Sequence, residues 1–321
     1  MPPMWTEATT IRVERANSMA SLASFPTRSV RLIEPFGQGG GPDELARALA
    51  PRLARLWDQT VRVENHPGAG STAAPRLVAK AAPDGYTLLV TTSAQAYSSA
   101  VSSGLPYDPV RDFVAIAPLT TQPYVVVVGL GVGISTLREL LAAAAARPDE
   151  LTFGSSGVGT ATHIGLEKMN LQAGIRTVHV PAQGADSIVE TVAKTADGLT
   201  TYAMSPISIA SPLIRERRLR ALGTTTARRS KLLPDVPTIA EAGLAGYDHP
   251  IWYGMWAPAG TPRHVIESIE RDVARALADP GLRTWIDKHG AYPMTMSQAE
   301  FAAFVLSEVE SAVRIVASST P

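Results

Sequence analysis

The chain has 321 residues, 45% of them hydrophobic, which is enough for two lobes because a single hydrophobic core usually stops growing at roughly 250 to 300 residues. Lys plus Arg and Asp plus Glu number 29 each, so the formal net charge is zero. This balance predicts no nucleic-acid partner and no attraction to an anionic membrane surface. The chain has no cysteine, which excludes disulfides, thiolate metal sites and a cysteine lipid anchor.

Residues 1–28 are predicted to be a disordered leader. Charged residues, among them Glu7 and Arg12, precede a weakly apolar stretch over 16–27 that makes a poor secretory signal. A degraded export signal is the alternative interpretation. No later run approaches the roughly 18 apolar residues of a membrane helix, so we expect no direct membrane insertion.

Strands and helices alternate along the first third of the chain. Leu45, Leu49, Leu53 and Leu56 recur at helical spacing after a short apolar run. The alternation predicts a parallel, doubly wound sheet. The predicted strands are 29–35, 61–64 and 86–92, and the predicted helices are 42–57 and 72–82.

A second α/β unit follows a proline-punctuated connection that begins at Leu105. It starts with the β-branched run YVVVVGLG at Tyr124, which is typical of a central strand. Strand-like sequence returns at Trp252, and helical patterns close the chain. The predicted strands here are 177–181 and 219–226, and the predicted helices are 137–146, 162–173, 187–196, 264–278, 280–289 and 297–317.

Two glycine-rich turns, PFGQGGGPDELARALA from Pro35 and FGSSGVGTATHIGLEKM from Phe153, each join a strand to a helix. Such turns expose backbone N–H groups beside the positive end of a helix dipole, where a carboxylate or phosphate can bind. About one domain's length of chain separates them, so they could face each other across a cleft. The alternative interpretation is that both are ordinary strand-to-helix turns that bind no ligand.

The second turn is predicted to be the better anion site. Asp43 and Glu44 already occupy the positive end of the first helix, whereas no acid precedes Glu167 in the second. The first turn would then contact a ligand through its backbone and water. The donors expected in the second turn are Ser155, Ser156, Gly157, Gly159, Thr160 and Thr162.

Several nucleotide and catalytic motifs are incomplete. GQGGGP has Pro42 where the dinucleotide fingerprint needs its last glycine, and neither turn carries the GK[ST] ending of a P-loop. A nucleophile elbow beginning at Gly154 would need glycine at Val158. The six histidines show no spacing typical of a metal site. We therefore predict neither a cofactor nor a metal.

Nine ordered motifs resemble one family over the chain from about Ser29 to its end. They are PFGQGGGPDELARALA, VENHPGAGS, AKAAPDGYTLL, LPYDPVRDF, FGSSGVGTATH, VHVPAQGA, LRALGTTT, RRSKLLPDVPTIAEAGLAGY and WYGMWAPAGTP. The chain resembles the substrate-binding proteins of tripartite tricarboxylate transporters, the Bug receptors.

This resemblance implies a two-lobed α/β fold of the periplasmic-binding-protein (Venus flytrap) kind, each lobe a mostly parallel sheet flanked by helices. Lobe one would comprise 29–122 and 247–321, and lobe two 123–246. The protein would be a periplasmic monomer that delivers a small organic carboxylate to membrane transporter subunits. The positions that match the family's carboxylate contacts are Phe36, Gly37, Gln38, Gly39, Gly40 and Gly41, and the second turn from Ser155 to His163, with Asp43 added as a site residue.

The sequence departs from the family pattern at several cleft positions. Gly37, Gln38 and Pro42 replace the usual residues of the first turn, and Ala182 and Gln183 replace a tyrosine and a lysine. An acidic residue common in the family is replaced near Met204. These changes remove charge and bulk, which favours a larger or less polar carboxylate, aromatic acids included. Tyr97, Tyr202 and Trp252 are candidate walls of the cleft, or packing at its hinge.

Two other classes of function remain open at this point. A cytoplasmic relative could be an enzyme, an isomerase or lyase, that uses His163 or Asp43 as its acid or base. A cytoplasmic sensor driven by lobe closure is the third possibility.

Overall fold

Two mixed sheets, each covered by helices, form the two lobes of the protein. A computed structural model describes residues 25–68, 71–101, 104–182, 185–194 and 201–319. Residues 1–24 of the predicted leader lie outside this range. Phe25 packs edge-on against Trp57 and Tyr86, with ring centroids 6.0 and 5.1 Å apart.

The first lobe contains a six-stranded sheet in the order β11-β4-β10-β3-β1-β2. Its buried strand β3 and the apolar face of α1 place aliphatic side chains against each other, which drives the packing of this layer. The strands are β1 (Val30–Glu34), β2 (Val61–Asn65), β3 (Thr87–Thr92), β4 (Phe113–Gln122), β10 (Ile251–Pro258) and β11 (Tyr292–Pro293). The helices are α1 (Gly41–Trp57), α2 (Ala73–Ala79), α3 (Ala94–Val101), α8 (Arg263–Leu277), α9 (Pro280–Lys288) and α10 (Gln298–Ser319).

The second lobe contains a five-stranded sheet in the order β7-β6-β8-β5-β9. The β-branched run predicted to be central is β5, which is buried throughout and pairs on both sides. The strands are β5 (Tyr124–Gly129), β6 (Thr152–Ser155), β7 (Val178–Pro181), β8 (Tyr202–Pro206) and β9 (Leu219–Thr224). The helices are α4 (Leu137–Ala146), α5 (Ala161–Ala173), α6 (Ala185–Ala193) and α7 (Ile207–Arg215).

The two-lobed α/β fold class is confirmed, and helices flank two mixed sheets. Strands β1, β2 and β3 run parallel, as do β6, β7 and β8. By contrast, β10 is antiparallel to β3 and β4, and β5 is antiparallel to β8 and β9. The antiparallel pairing of β10 follows from the path of the chain between the lobes. The chain leaves the first sheet at Gln122, the last residue of β4, and returns at Ile251, which pairs with Gln122, so β10 runs opposite to β4.

The chain changes sheet between Gln122 and Tyr124, and again between Thr224 and Ile251. We call the Gln122–Pro123–Tyr124 segment the crossover. One hydrophobic cluster continues through this region and includes Tyr97, Tyr124 and Phe153. The finer lobe boundaries at 123 and 247 stay a prediction. Among the described helices, none combines the length and the hydropathy that crossing a bilayer requires.

Candidate functional site

The first turn, residues 36–41, connects the end of β1 to the start of α1. Gly37, Gln38, Gly39 and Gly41 are exposed, and Gly40 is the N-cap of α1 in an extended conformation. Gly39 has a φ of 83°, in the left-handed region where a side chain is unfavourable. Three of the four exposed residues in this turn are glycines, so the turn presents mostly main chain.

Asp43 holds the first turn in place from inside α1. Its carboxylate accepts from the Gly39 amide at 2.9 Å, from Asn65 Nδ2 at 2.8 Å and from Arg47 Nε at 2.8 Å. Burial raises the pKa of Asp43, but these hydrogen bonds outweigh it and hold the pKa below its ordinary value. Asp43 is thus an ionised support of the turn.

Glu34, which the sequence interpretation missed, lies beneath the same turn and is fully buried. Its carboxyl group accepts from the Phe36 amide at 2.9 Å and from the side-chain amide of Asn65. Burial raises the pKa of Glu34 to about 7, despite the opposing effect of those hydrogen bonds. The only sequence signal was the pattern of an acid at the end of β1 and an asparagine at the end of β2.

The second turn, residues 155–160, connects β6 to α5, and its amides are held by side chains of the same segment. Ser156 N donates to Thr162 Oγ1 at 2.9 Å, and Gly157 N donates to Ser155 Oγ at 3.1 Å. Thr160 caps α5 by accepting from His163 N at 3.4 Å. Gly157 and Gly159 have φ values of 136° and 77°. The turn is built of glycine and hydroxyl groups beside a helix N-terminus, as predicted.

Two stacked histidines, His163 on α5 and His179 on β7, flank the second turn with ring centroids 4.1 Å apart. Gly159 N donates to His163 Nδ1 at 3.3 Å, so the neutral ring carries its proton on Nε2, which lies 3.6 Å from Glu167 Oε1. His179 Nε2 lies 2.7 Å from Ser155 Oγ.

Both imidazoles are neutral bases at ordinary pH. Burial lowers the pKa of His163, and burial together with the neighbouring His163 lowers the pKa of His179 to about 4. The sequence did not predict a role for His179 in the site, since the segment VHVP indicates only a strand.

The starts of α1 and α5 are each linked to the crossover through one side chain, Tyr253 for α1 and His249 for α5. A Cβ built on Gly41 would lie 2.6 Å from Tyr253 Oη, and that hydroxyl accepts from Gln122 Nε2 at 2.8 Å. On the other side, His249 Nε2 donates to Ala161 O at 2.8 Å, and the ring stacks on Tyr124. Gln122 and Tyr124 are two residues apart. The starts of α1 and α5 are therefore each linked to this short hinge segment, from different lobes.

The other predicted site residues are placed as follows. Tyr97 is buried, and its hydroxyl donates to Glu308 Oε2 at 2.6 Å. Met204 is buried on β8, with its sulfur 2.8 Å from a Cβ built on Gly165. Ala182 is half-buried, and its amide donates to Ser155 O at 2.9 Å. Gln183 lies outside the described residues.

The two other aromatic candidates pack inside the lobes. Tyr202 donates to Asn170 Oδ1 at 2.8 Å, and Trp252 Nε1 donates to Glu308 Oε2 at 3.0 Å. Each is no more than 1% exposed, in line with the packing interpretation.

This architecture defines a class, the two-lobed α/β binding proteins of the periplasmic kind. A solved structure described as a periplasmic transporter superposes with a TM-score of 0.81 and 30% identity, over 92% of this chain and 99% of that one. A family model described as "Tripartite tricarboxylate transporter family receptor" matches residues 45–320. The chain belongs to this receptor family, and the resemblance seen in the sequence is confirmed.

Individual relatives agree with this assignment. A UPF0065 protein of Bordetella pertussis is 31% identical over 309 residues, which cover 96% of this chain and 94% of that one. A Rhodopseudomonas palustris protein solved with adipate has a TM-score of 0.81 and 30% identity, over 91% of this chain and 98% of that one. MatC from the same organism, solved with malate, has a TM-score of 0.79 and 30% identity, over 91% and 100%. Relatives of this chain thus bind carboxylates.

Proposed function

We propose that the protein is a receptor that captures a small organic carboxylate between its lobes and delivers it to the membrane subunits of a tripartite tricarboxylate-type transporter. The supporting observation is the linkage of two glycine-rich turns, one from each lobe, to neighbouring residues of the crossover. A carboxylate between α1 and α5 would meet the positive ends of both helix dipoles.

The second turn supplies donors that an anion can take over. Ser156 N, Gly157 N and Gly159 N are bonded to two hydroxyls and an imidazole nitrogen, all of them neutral acceptors. A carboxylate is a stronger acceptor, since charge-assisted hydrogen bonds are roughly twice as strong as neutral ones. On ligand binding, these three amides would replace their hydrogen bonds to neutral acceptors with stronger hydrogen bonds to the carboxylate.

The preferred ligand is proposed to be a larger or less polar acid than citrate, aromatic acids included. Ala182, beside the second turn, and Met204 on β8 bring no charge to this part of lobe two. Adipate, the ligand of one relative, has an apolar chain between its carboxylates, in keeping with such a site.

We likewise propose that the protein is a periplasmic monomer that binds its transporter transiently. The alternative of a cytoplasmic enzyme rests on His163 and Asp43. In this structure both side chains are engaged in holding the turns, His163 through Gly159 and Asp43 through Gly39. A receptor that binds without turnover is therefore the function that the geometry supports best.

Thermal shift and calorimetry with adipate, malate, citrate and benzoate test the proposal, with mass spectrometry to detect any product. Gly159→Ala should abolish the ligand-induced stabilisation. Gly174→Ala is the matched control, because Gly174 also has a positive φ, 65° against 77°, but ends α5 away from the turn. Both variants should lose about 1 kcal/mol of stability. Equal ligand binding by the two variants would contradict a binding site at the second turn, and product formation would contradict a receptor that binds without turnover.

A further inference from the structure

The two ends of the first turn are tied together by one side chain, Asn65 at the end of β2. Its Nδ2 group contacts Glu34 Oε1, Asp43 Oδ1 at 2.8 Å and the Phe36 carbonyl at 3.3 Å. Its Oδ1 accepts from Arg47 at 2.8 Å. An amide has only two N–H donors, so three oxygens compete for them.

This arrangement brings two carboxyl groups to a single amide. Asp43 is ionised, and Arg47 is the cation next to it. Glu34 is fully buried, and repulsion by Asp43 further favours its neutral form. Repulsion between the two carboxylates opposes ionisation of Glu34, whereas the hydrogen bonds from Asn65 and the Phe36 amide, together with the charge of Arg47, favour it.

Apart from Arg47, whose charge favours ionised Glu34, the charged groups on the neighbouring strands are occupied elsewhere or absent. On the adjacent strand β2, the carboxylate of Glu64 is occupied by Arg31 at 2.7 Å and lies 3.5 Å from His66. On the other neighbour, β3, the sequence TLLVTT has no titratable side chain. The protonation of Glu34 therefore depends on Asp43, on Arg47 and on whatever binds to the turn.

We propose that Glu34 and Asn65 are positioning residues of the first turn, and that capture of an anionic ligand there is accompanied by proton uptake at Glu34. This inference rests on the proposed receptor function. A bound carboxylate is a third negative charge above the network, so it shifts Glu34 towards its neutral form. By linkage, affinity falls as pH rises, by up to tenfold for each unit by which the ligand raises the pKa of Glu34.

The free protein offers a first test that needs no ligand. Burial raises the folded pKa of Glu34 to about 7, above its ordinary value of 4.5, so the folded state binds more protons than the unfolded state between these values. The free energy of unfolding should therefore decrease as pH rises from 5 to 8. Glu34→Gln should flatten this slope. Glu44→Gln, an exposed acid on the first turn of α1, should leave it unchanged.

The second test measures protons taken up on binding. Titration with adipate and with benzoate at pH 7, in buffers of different ionisation enthalpy, should show uptake of a fraction of a proton by the wild type and by Glu44→Gln, and a smaller uptake by Glu34→Gln. Asn65→Ala should weaken binding at least tenfold and move the midpoint of the pH profile upward, because it removes a hydrogen bond to Glu34. A purely structural role would lower stability without moving that midpoint.

The outcomes separate the two proposals. Binding with equal proton uptake in the wild type and Glu34→Gln would overturn the inference and leave the receptor function standing. An unchanged midpoint in Asn65→Ala would also overturn it. If no acid binds to the wild type, both proposals fail.

Discussion

Gly41→Ala tests how closely the start of α1 approaches the hinge. Gly41 is exposed at the first position of the helix, where alanine is ordinarily an improvement. In this fold, however, an added Cβ would lie 2.6 Å from Tyr253 Oη and 3.4 Å from Cζ. Tyr253 is 3% exposed, and its hydroxyl is fixed by Gln122. The ring cannot move without breaking a buried hydrogen bond.

The size of the effect follows from opposing contributions. Overpacking of this kind costs about 1 to 3 kcal/mol, and the higher helix propensity of alanine offsets at most about 1 kcal/mol. We expect a net loss of about 1 to 2 kcal/mol. For a chain of this size, this corresponds to a decrease in melting temperature of about 1.5 to 3 °C.

The assay is thermal and urea unfolding of Gly41→Ala beside Gly37→Ala. The control makes the same change in the same turn, where the added methyl group meets nothing within 4 Å. Gly37→Ala should melt within about 1 °C of the wild type. Identical melting of the two variants would show that α1 does not abut Tyr253, and would refute the link between the first turn and the crossover.

The remaining predictions concern the hinge and the second turn. Glu308→Ala removes the acceptor of two buried donors, Tyr97 Oη and Trp252 Nε1, and should cost about 2 to 4 kcal/mol in urea unfolding. Glu310→Ala, an exposed site on the same helix, should cost little, so equal losses would argue against this contact. Burial and the neighbouring His163 lower the folded pKa of His179 to about 4, below its ordinary value of 6.5, so the unfolded state binds the extra proton and stability should fall as pH drops between these values. His179→Gln should reduce that slope, and an unchanged slope would mean that another group dominates acid unfolding.

The elements with strong periodicity were predictable from the sequence. The helix over 137–146 is α4, Leu137–Ala146, and the long β-branched run at Tyr124 is β5. Strand β4 was missed because Pro118 lies within it and Pro123 follows it. Proline normally argues against a central strand, but a register shift in β10 near this position accommodates it.

The candidate site likewise contains features that the sequence predicts and features that it does not. Glycines, hydroxyls and helix starts are local features, so both turns could be found from their spacing alone. The contributions of Glu34 and His179 could not, because each depends on a neighbour far along the chain, Asn65 for one and Ser155 for the other. Burial, which raises the pKa of Glu34 and lowers that of His179, is likewise invisible in a single sequence.

The amino-acid sequence by itself determined the family, the alternation of elements and the two turns, because these depend on local backbone preference and residue order. Only the tertiary structure decided that the sheets are mixed, that Tyr253 and His249 link the starts of α1 and α5 to Gln122 and Tyr124, and that a buried acid supports the first turn. Each of these is a contact between segments distant in sequence. The physical reason is that strand direction, burial and proton affinity are set by which surfaces meet when the chain crosses between lobes.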